Sequence, residues 1–388
     1  MAGRYSNLWG RALLFLMFLW LLWFLNFSVR IVLSPILPVI EDEFLVSHAR
    51  ASGIFVFLSV GYGVSVIISG FLSGRFGYKK SIIFSLVLLG LATFLVLFVH
   101  TFLLLYLFAF VLGFAVGIYI PSVIPLITEY YAEKDWGKAI AIHDTGASIS
   151  ILTTPFVAIA LLALVPWRGI FVVFACVFLA CSIVLCFACG EVRIENPPRA
   201  MFRDILRMRS LWIMTGLFTF GVGANLGIYS IIPLYLTKEL RLSIDYANTI
   251  LGISRLGSVG VAISCGFLVD RFSLRKIMFP MMAIAGVFTI LMGLASVRLT
   301  GIVLFVQAVF ITGFFPVGLV AIAKIFNREM RGLATGMILA VCMVFGSGII
   351  PYLLGVSGDL CSFRVGIVIL GVLVTLSSGL IFRLKDLD

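Results

Sequence analysis

The chain has 388 residues, 62% hydrophobic and only 12% charged, with a mean hydropathy of +1.21. Soluble domains run at about 45–50% apolar and about 25% charged, so a soluble enzyme, a secreted disulfide scaffold and a disordered chain are excluded. The net charge of +11 is read below as a topology signal, and no nucleic-acid partner is expected.

A membrane-crossing helix needs about 20 apolar residues. Apolar runs broken by short polar clusters predict an all-α polytopic protein with twelve transmembrane helices. The first six lie near 11–40, 51–72, 80–99, 103–131, 138–164 and 169–189. A second six lie near 211–237, 246–269, 277–296, 300–326, 332–358 and 363–383. The first run is longer than a signal-peptide core and no small-residue cleavage site follows it, so the N-terminus is expected to stay in the cytoplasm. The segment 190–210, GEVRIENPPRAMFRDILRMRS, reads as a cytoplasmic linker between halves 1–189 and 211–388. An amphipathic surface helix is the local alternative for 200–209. What remains after twelve spans holds no soluble domain of ordinary size, so function is expected to reside in the bundle, within the lipid bilayer.

The charges orient these spans. Of the 28 Lys and Arg, 20 fall on one face, six on the other, and Arg30 and Arg255 inside spans. The positive-inside rule places the face of 20, and both termini, in the cytoplasm. The seven cysteines fall mostly within spans, and the lone CxxC of Cys186 and Cys189 reads as small packing residues.

The two halves repeat. GFLSGRFGYKK at 70–80 matches GFLVDRFSLRK at 266–276, and the pairs Pro155/Pro351 and Arg168/Arg364 keep the same offset of 196. Parallel repeats of this kind place a substrate site at their interface near the bilayer midplane. The repeated loop resembles the signature loop of the major facilitator superfamily, and the length, twelve spans and central linker extend the resemblance over essentially the whole chain. The resemblance implies two six-helix bundles that open a central cavity alternately to each side. The family loop usually carries Asp where this chain has Gly74; the matching position in the second half is Asp270. The resemblance implies an intracellular gate there, so Arg75, Lys79, Asp270 and Arg271 are gating candidates. Glu129 and Lys324, at matching repeat positions, are read as gate or interface charges.

Polar residues present in only one half are the better site candidates. Arg30 lies about 15 Å deep at 1.5 Å per residue, where an arginine normally faces an aqueous cavity or a partner charge. Its repeat position is Leu226. Asn26 and Ser34, at i−4 and i+4, extend a polar stripe. The planar guanidinium suits a carboxylate, sulfonate or phosphate. Arg255 lies at a similar depth in the other half, with Ser59 as its repeat position. For both, the alternative is a structural ion pair with a nearby acid. His143 and Asp144 open the fifth span and are candidates for proton coupling; the alternative is that Asp144 neutralises Arg30 or Arg255. Tyr62, Tyr119, Ser122, Asn225, Tyr229 and Gln307 could line a cavity, against a role as interhelix glue. Glu41, Asp42 and Glu43 read as a solvated outer loop.

No Walker loop, HExxH or Cys/His metal spacing occurs, so neither ATP hydrolysis nor a resident metal or cofactor is expected, and no enzyme. Span five lacks the Gly-Pro-Gly-Gly pattern of the family's drug/proton antiporters. The expectation is a secondary active transporter of a small organic anion, coupled to protons by symport. It should act as a monomer in a prokaryotic cytoplasmic (inner) membrane. The alternatives are an exporter of drugs or amphipathic metabolites in the same fold, and a non-transporting receptor or membrane scaffold.

Overall fold

A computed structural model of the chain describes residues 5, 8–190 and 202–384. In hydrocarbon a backbone must satisfy its own hydrogen bonds, and a helix does so within one segment. The apolar runs accordingly form helices: α1 (Arg11–Ile31), α2 (Leu33–Phe44), α3 (His48–Phe76), α4 (Tyr78–Leu95), α5 (Phe102–Gly117), α6 (Tyr119–Tyr130), α7 (Trp136–Leu162) and α8 (Trp167–Ala188). After α9 (Phe202–Arg207) come α10 (Arg209–Val222), α11 (Ile228–Leu234), α12 (Ile244–Ile253), α13 (Leu256–Arg271), α14 (Leu274–Leu294), α15 (Val297–Ile325), α16 (Arg328–Cys342), α17 (Ile350–Leu360) and α18 (Phe363–Ser378). Among the described residues, 11 helical stretches are long and apolar enough to cross a membrane. Phe187 is 88% exposed while His143 and Gln307 are 0% exposed. This inversion of a soluble surface marks an integral membrane protein.

The interruptions have local causes. Pro35 cannot donate to the Ile31 carbonyl and its ring crowds that group, and α1 stops at Ile31. Pro121 bears the same relation to Gly117, where α5 ends. The run at 246–269, expected as one span, is instead two helices of 10 and 16 residues flanking Ser254 and Arg255. The Ser254 hydroxyl donates to the Leu251 carbonyl at 2.7 Å, the acceptor that the Arg255 N–H would take in a regular helix. Arg255 N–H turns to Gly252 O at 3.0 Å, a tighter step that breaks the ladder. Three π-helical segments, Gly223–Gly227, Tyr235–Glu239 and Met343–Ile349, interrupt other runs. Of the 190–210 segment, 191–201 lie outside the described residues; the six residues of α9 form the helix near the expected surface helix.

The chain divides into two compact units, Met1–Leu33 with Val60–Pro197, and Ser34–Ser59 with Pro198–Asp388. In the first unit α1 packs on α7 and α4 on α8. In the second, α10 packs on α16 and α14 on α18. These are the same pairs in repeat order, so the sequence repeat is also a packing repeat. The backbone preserves the offset too. Leu45 and Arg241, 196 residues apart, are the two non-glycine residues with positive φ among those described, at 49° and 58°. Each closes a helical run in the left-handed conformation usual for such ends. The approach of α1 to α7 requires a glycine: a Cβ on Gly146 would stand 3.0 Å from the Trp20 carbonyl oxygen.

Candidate functional site

In the first unit the site candidates gather on one stripe of α1. Arg30 is 8% exposed. Its guanidinium carbon stands 4.2 Å from the centroid of the Phe27 ring and 5.4 Å from that of Tyr62. Its Nη2 is buried without a hydrogen-bond partner, and no carboxylate of the described residues pairs with it. One turn earlier, Asn26 donates through Nδ2 to the Val116 carbonyl at 3.4 Å, while its Oδ1 lacks a partner. One turn earlier still, Trp23 stacks on Tyr119 and on His143, with centroids 5.8 and 5.9 Å away.

Tyr119 is fully buried and donates to the Leu19 carbonyl at 2.8 Å, which fastens α6 to α1. Its oxygen lies 3.3 Å from His143 Nε2, and His143 Nδ1 has no partner. Asp144, the next residue, is exposed on α7, and its carboxylate faces the Trp23 side chain. Ser122 serves helix packing, 3.0 Å from Ser73 Oγ. Ser34, expected to prolong the Arg30 stripe, follows the break at Val32 and belongs to the second unit, where it donates to the Tyr229 carbonyl at 2.6 Å.

In the second unit Arg255 occupies the break between α12 and α13, 2% exposed. Its Nη1 donates to Asn225 Oδ1 at 2.6 Å and its Nη2 to the Asn225 carbonyl at 3.3 Å. The Tyr229 ring centroid is 5.2 Å from the guanidinium carbon. Asn225 belongs to the π segment Gly223–Gly227. A π turn disturbs the regular i→i−4 ladder, and two of its carbonyls take side-chain donors: Asn225 O accepts from Arg255, and Ala224 O from Gln307 Nε2 at 2.8 Å. Arg255 Nε and Gln307 Oε1 have no partner. No carboxylate of the described residues pairs with Arg255.

The gate candidates are dispersed. Arg75 is exposed, 5.7 Å from the Phe76 ring centroid. Lys79 donates to the Cys186 carbonyl at 2.7 Å, a cationic cap on the last turn of α8. Glu129, Arg271 and Lys324 are exposed. Among the described residues none of these forms an ion pair. The side chain of Asp270 lies outside the described residues.

One polar cluster was not legible in the sequence. Glu41, read as part of a solvated loop, is 6% exposed. It accepts from His48 Nδ1 at 2.8 Å and lies 3.6 Å from Lys238 Nζ; Lys238 also pairs with Asp42. Both carboxylate oxygens of Asp359 accept backbone N–H groups of His48 and Ala49, each at 2.9 Å, and so cap α3. Glu239 accepts from Ser362 Oγ at 2.6 Å and Phe363 N at 2.7 Å, 3.6 Å from Arg364. All these groups belong to the second unit. The acidic triplet 41–43 reads as a solvated loop because Lys238 and Asp359, which complete the cluster, lie about two hundred to three hundred residues away in the chain.

Known proteins share this architecture. A bacterial homologue of the human lysosomal transporter Spinster, in an inward-facing and occupied conformation, superposes with a TM-score of 0.84 at 16% identity, covering 99% of this chain and 98% of that one. A D-xylose–proton symporter gives 0.79 at 16% identity over 97% and 99% of the two chains. At these identities the likeness shows the fold alone. Among sequence relatives, a TsgA homologue of Erwinia tasmaniensis is 27% identical over 233 residues, 59% of this chain and 58% of the relative. The TsgA protein of Salmonella schwarzengrund is 24% identical over 68% of this chain and 67% of its own length. The profile of the Major Facilitator Superfamily matches residues 19–265 and 227–387, and the chain belongs to that family of membrane transporters.

Proposed function

We propose that this protein is a secondary active transporter of a small organic anion of carboxylate or sulfonate type. It works by alternating access, with Arg30 of one unit and Arg255 of the other as anion anchors. The observation that carries the reading is that each unit holds one buried guanidinium with an aromatic neighbour and no acid partner among the described residues. A buried cation without a counter-charge is costly, and an anionic substrate is what would repay it. Tyr62, Asn225 and Tyr229 are the neutral contacts, with Asn26 beside Arg30.

Proton symport is the proposed coupling. A cotransported proton offsets the anion's charge against an inside-negative potential, worth about 2.3 kcal/mol per charge per 100 mV. His143 and Asp144 are the residues proposed for it. The same fold in a D-xylose–proton symporter is compatible with that chemistry. The proposed topology has twelve spans in two six-helix bundles, 1–189 and 211–388, with α12 and α13 together forming the eighth. Both termini and the linker 190–210 face the cytoplasm, and the protein resides as a monomer in a prokaryotic inner membrane. Arg75, Lys79, Asp270, Arg271, Glu129 and Lys324 are the proposed gate charges on the cytoplasmic side.

The test is thermal stabilisation of purified protein across a panel of small anions and neutral amphipathic compounds, repeated with Arg30→Ala. One anion class should stabilise the wild type by about 2.7 kcal/mol at 100 times its Kd, and the variant should lose the response. Stabilisation by neutral amphipaths alone, unchanged in Arg30→Ala, would replace this reading with that of a drug or metabolite exporter.

A further inference from the structure

The α1 stripe specifies more than a negative charge. Trp23, Asn26 and Arg30 are spaced i, i+3 and i+7, which puts them on one helix face. Trp23 packs on His143 through its ring. Three buried polar atoms of this group have no hydrogen-bond partner, Asn26 Oδ1, Arg30 Nη2 and His143 Nδ1, whereas the Trp23 N–H faces the Asp144 carboxylate. Their polar neighbours are satisfied. Ser28 Oγ lies 2.8 Å from Ser150 Oγ, and the Tyr119 hydroxyl donates to Leu19 O. Buried polar groups are almost always bonded, so three unbonded ones gathered along this stripe call for a ligand that bonds them.

Their chemistry is mixed. Arg30 Nη2 can only donate, Asn26 Oδ1 can only accept, and His143 Nδ1 does either according to tautomer. A plain carboxylate offers acceptors alone. It would meet Arg30 and leave Asn26 Oδ1 unbonded. A neutral polyol would meet Asn26 and leave the guanidinium without a counter-charge. A molecule that carries both a carboxylate and hydroxyl groups meets every atom. Hydroxyl suits Asn26 better than ammonium, since Asn26 lies one turn from the Arg30 cation and no carboxylate contacts either among the described residues. The seven residues from Trp23 to Arg30 rise about 10 Å, roughly the length of an extended six-carbon acid with a hydrogen bond at each end.

We propose that the substrate is a polyhydroxylated carboxylate of about six carbons, its carboxylate on Arg30 and its hydroxyl groups on Asn26 and His143. This rests on the anion reading above and narrows it. Three probes separate the two ideas: gluconate, hexanoate and sorbitol, titrated into purified full-length protein by calorimetry. Gluconate should bind at least about tenfold tighter than hexanoate, the discrimination that a bonded against an unbonded buried polar group supports, and sorbitol should not bind. Asn26→Leu should lower gluconate affinity to the level of hexanoate. Equal binding of gluconate and hexanoate would overturn the hydroxyl assignment while the anion reading stands. Sorbitol binding as tightly as gluconate would overturn both, and binding of none of the three would overturn the polyhydroxylated carboxylate while the anion panel decides the wider reading. The comparison among ligands is made on the wild type, so it does not depend on the folding of the variant.

Discussion

Replacing Arg30 by methionine should make the protein more stable. The guanidinium is 8% exposed, touches two aromatic rings and pairs with no described carboxylate. Each ring contact contributes about 0.5–2 kcal/mol, whereas taking an ion out of water costs several kcal/mol. Methionine keeps most of the length and fills irregular space. The balance is a gain of about 1–3 kcal/mol for Arg30→Met, read as a higher midpoint in thermal unfolding without ligand. The ordering should then close or reverse in saturating anion, because the wild type gains about 2.7 kcal/mol at 100 times Kd and the variant gains nothing. A loss of about 3–5 kcal/mol in Arg30→Met, the signature of breaking a buried ion pair, would refute the reasoning; so would an unchanged midpoint.

Three further outcomes are expected. Asp359→Ala removes two charge-assisted bonds to the first N–H groups of α3 and should cost about 1–2 kcal/mol, with Asp359→Asn recovering part of it; thermal unfolding measures both. Leu45→Gly relieves a left-handed residue at φ 49° and should raise stability by about 0.5–1 kcal/mol; a lower midpoint would show that the Leu45 side chain outweighs its backbone. Asn225→Ala leaves Arg255 Nη1 without its 2.6 Å acceptor and should cost about 1–3 kcal/mol. In an Arg255→Met background the same change should cost much less, and additivity in that double-mutant cycle would mean that the contact carries no energy.

The helices and the repeat were legible in the sequence because both follow from local facts. Runs of Phe, Leu and Val must be helical in hydrocarbon, where the backbone has no other partner. The 196-residue offset that aligns Arg168 with Arg364 in sequence returns in the left-handed pair Leu45 and Arg241. Arg30 and Arg255 were legible as candidates since a charge inside an apolar run is costly wherever the fold puts it. Glu41 was misread because its partners, His48 and Lys238, could not be inferred from a polar triplet. The break at Arg255 was missed because a serine hydroxyl competing for a helix carbonyl leaves no mark in hydropathy.

Composition and periodicity thus determined by themselves that this is a helical membrane protein with a doubled plan and two costly interior cations. Only the tertiary structure decided that Arg255 rests on an asparagine in a π turn, that Arg30 rests on aromatic rings, and that the Tyr119 hydroxyl fastens α6 to α1. The physical reason is that burial can be read from one segment, whereas a hydrogen-bond partner depends on which distant segments pack together.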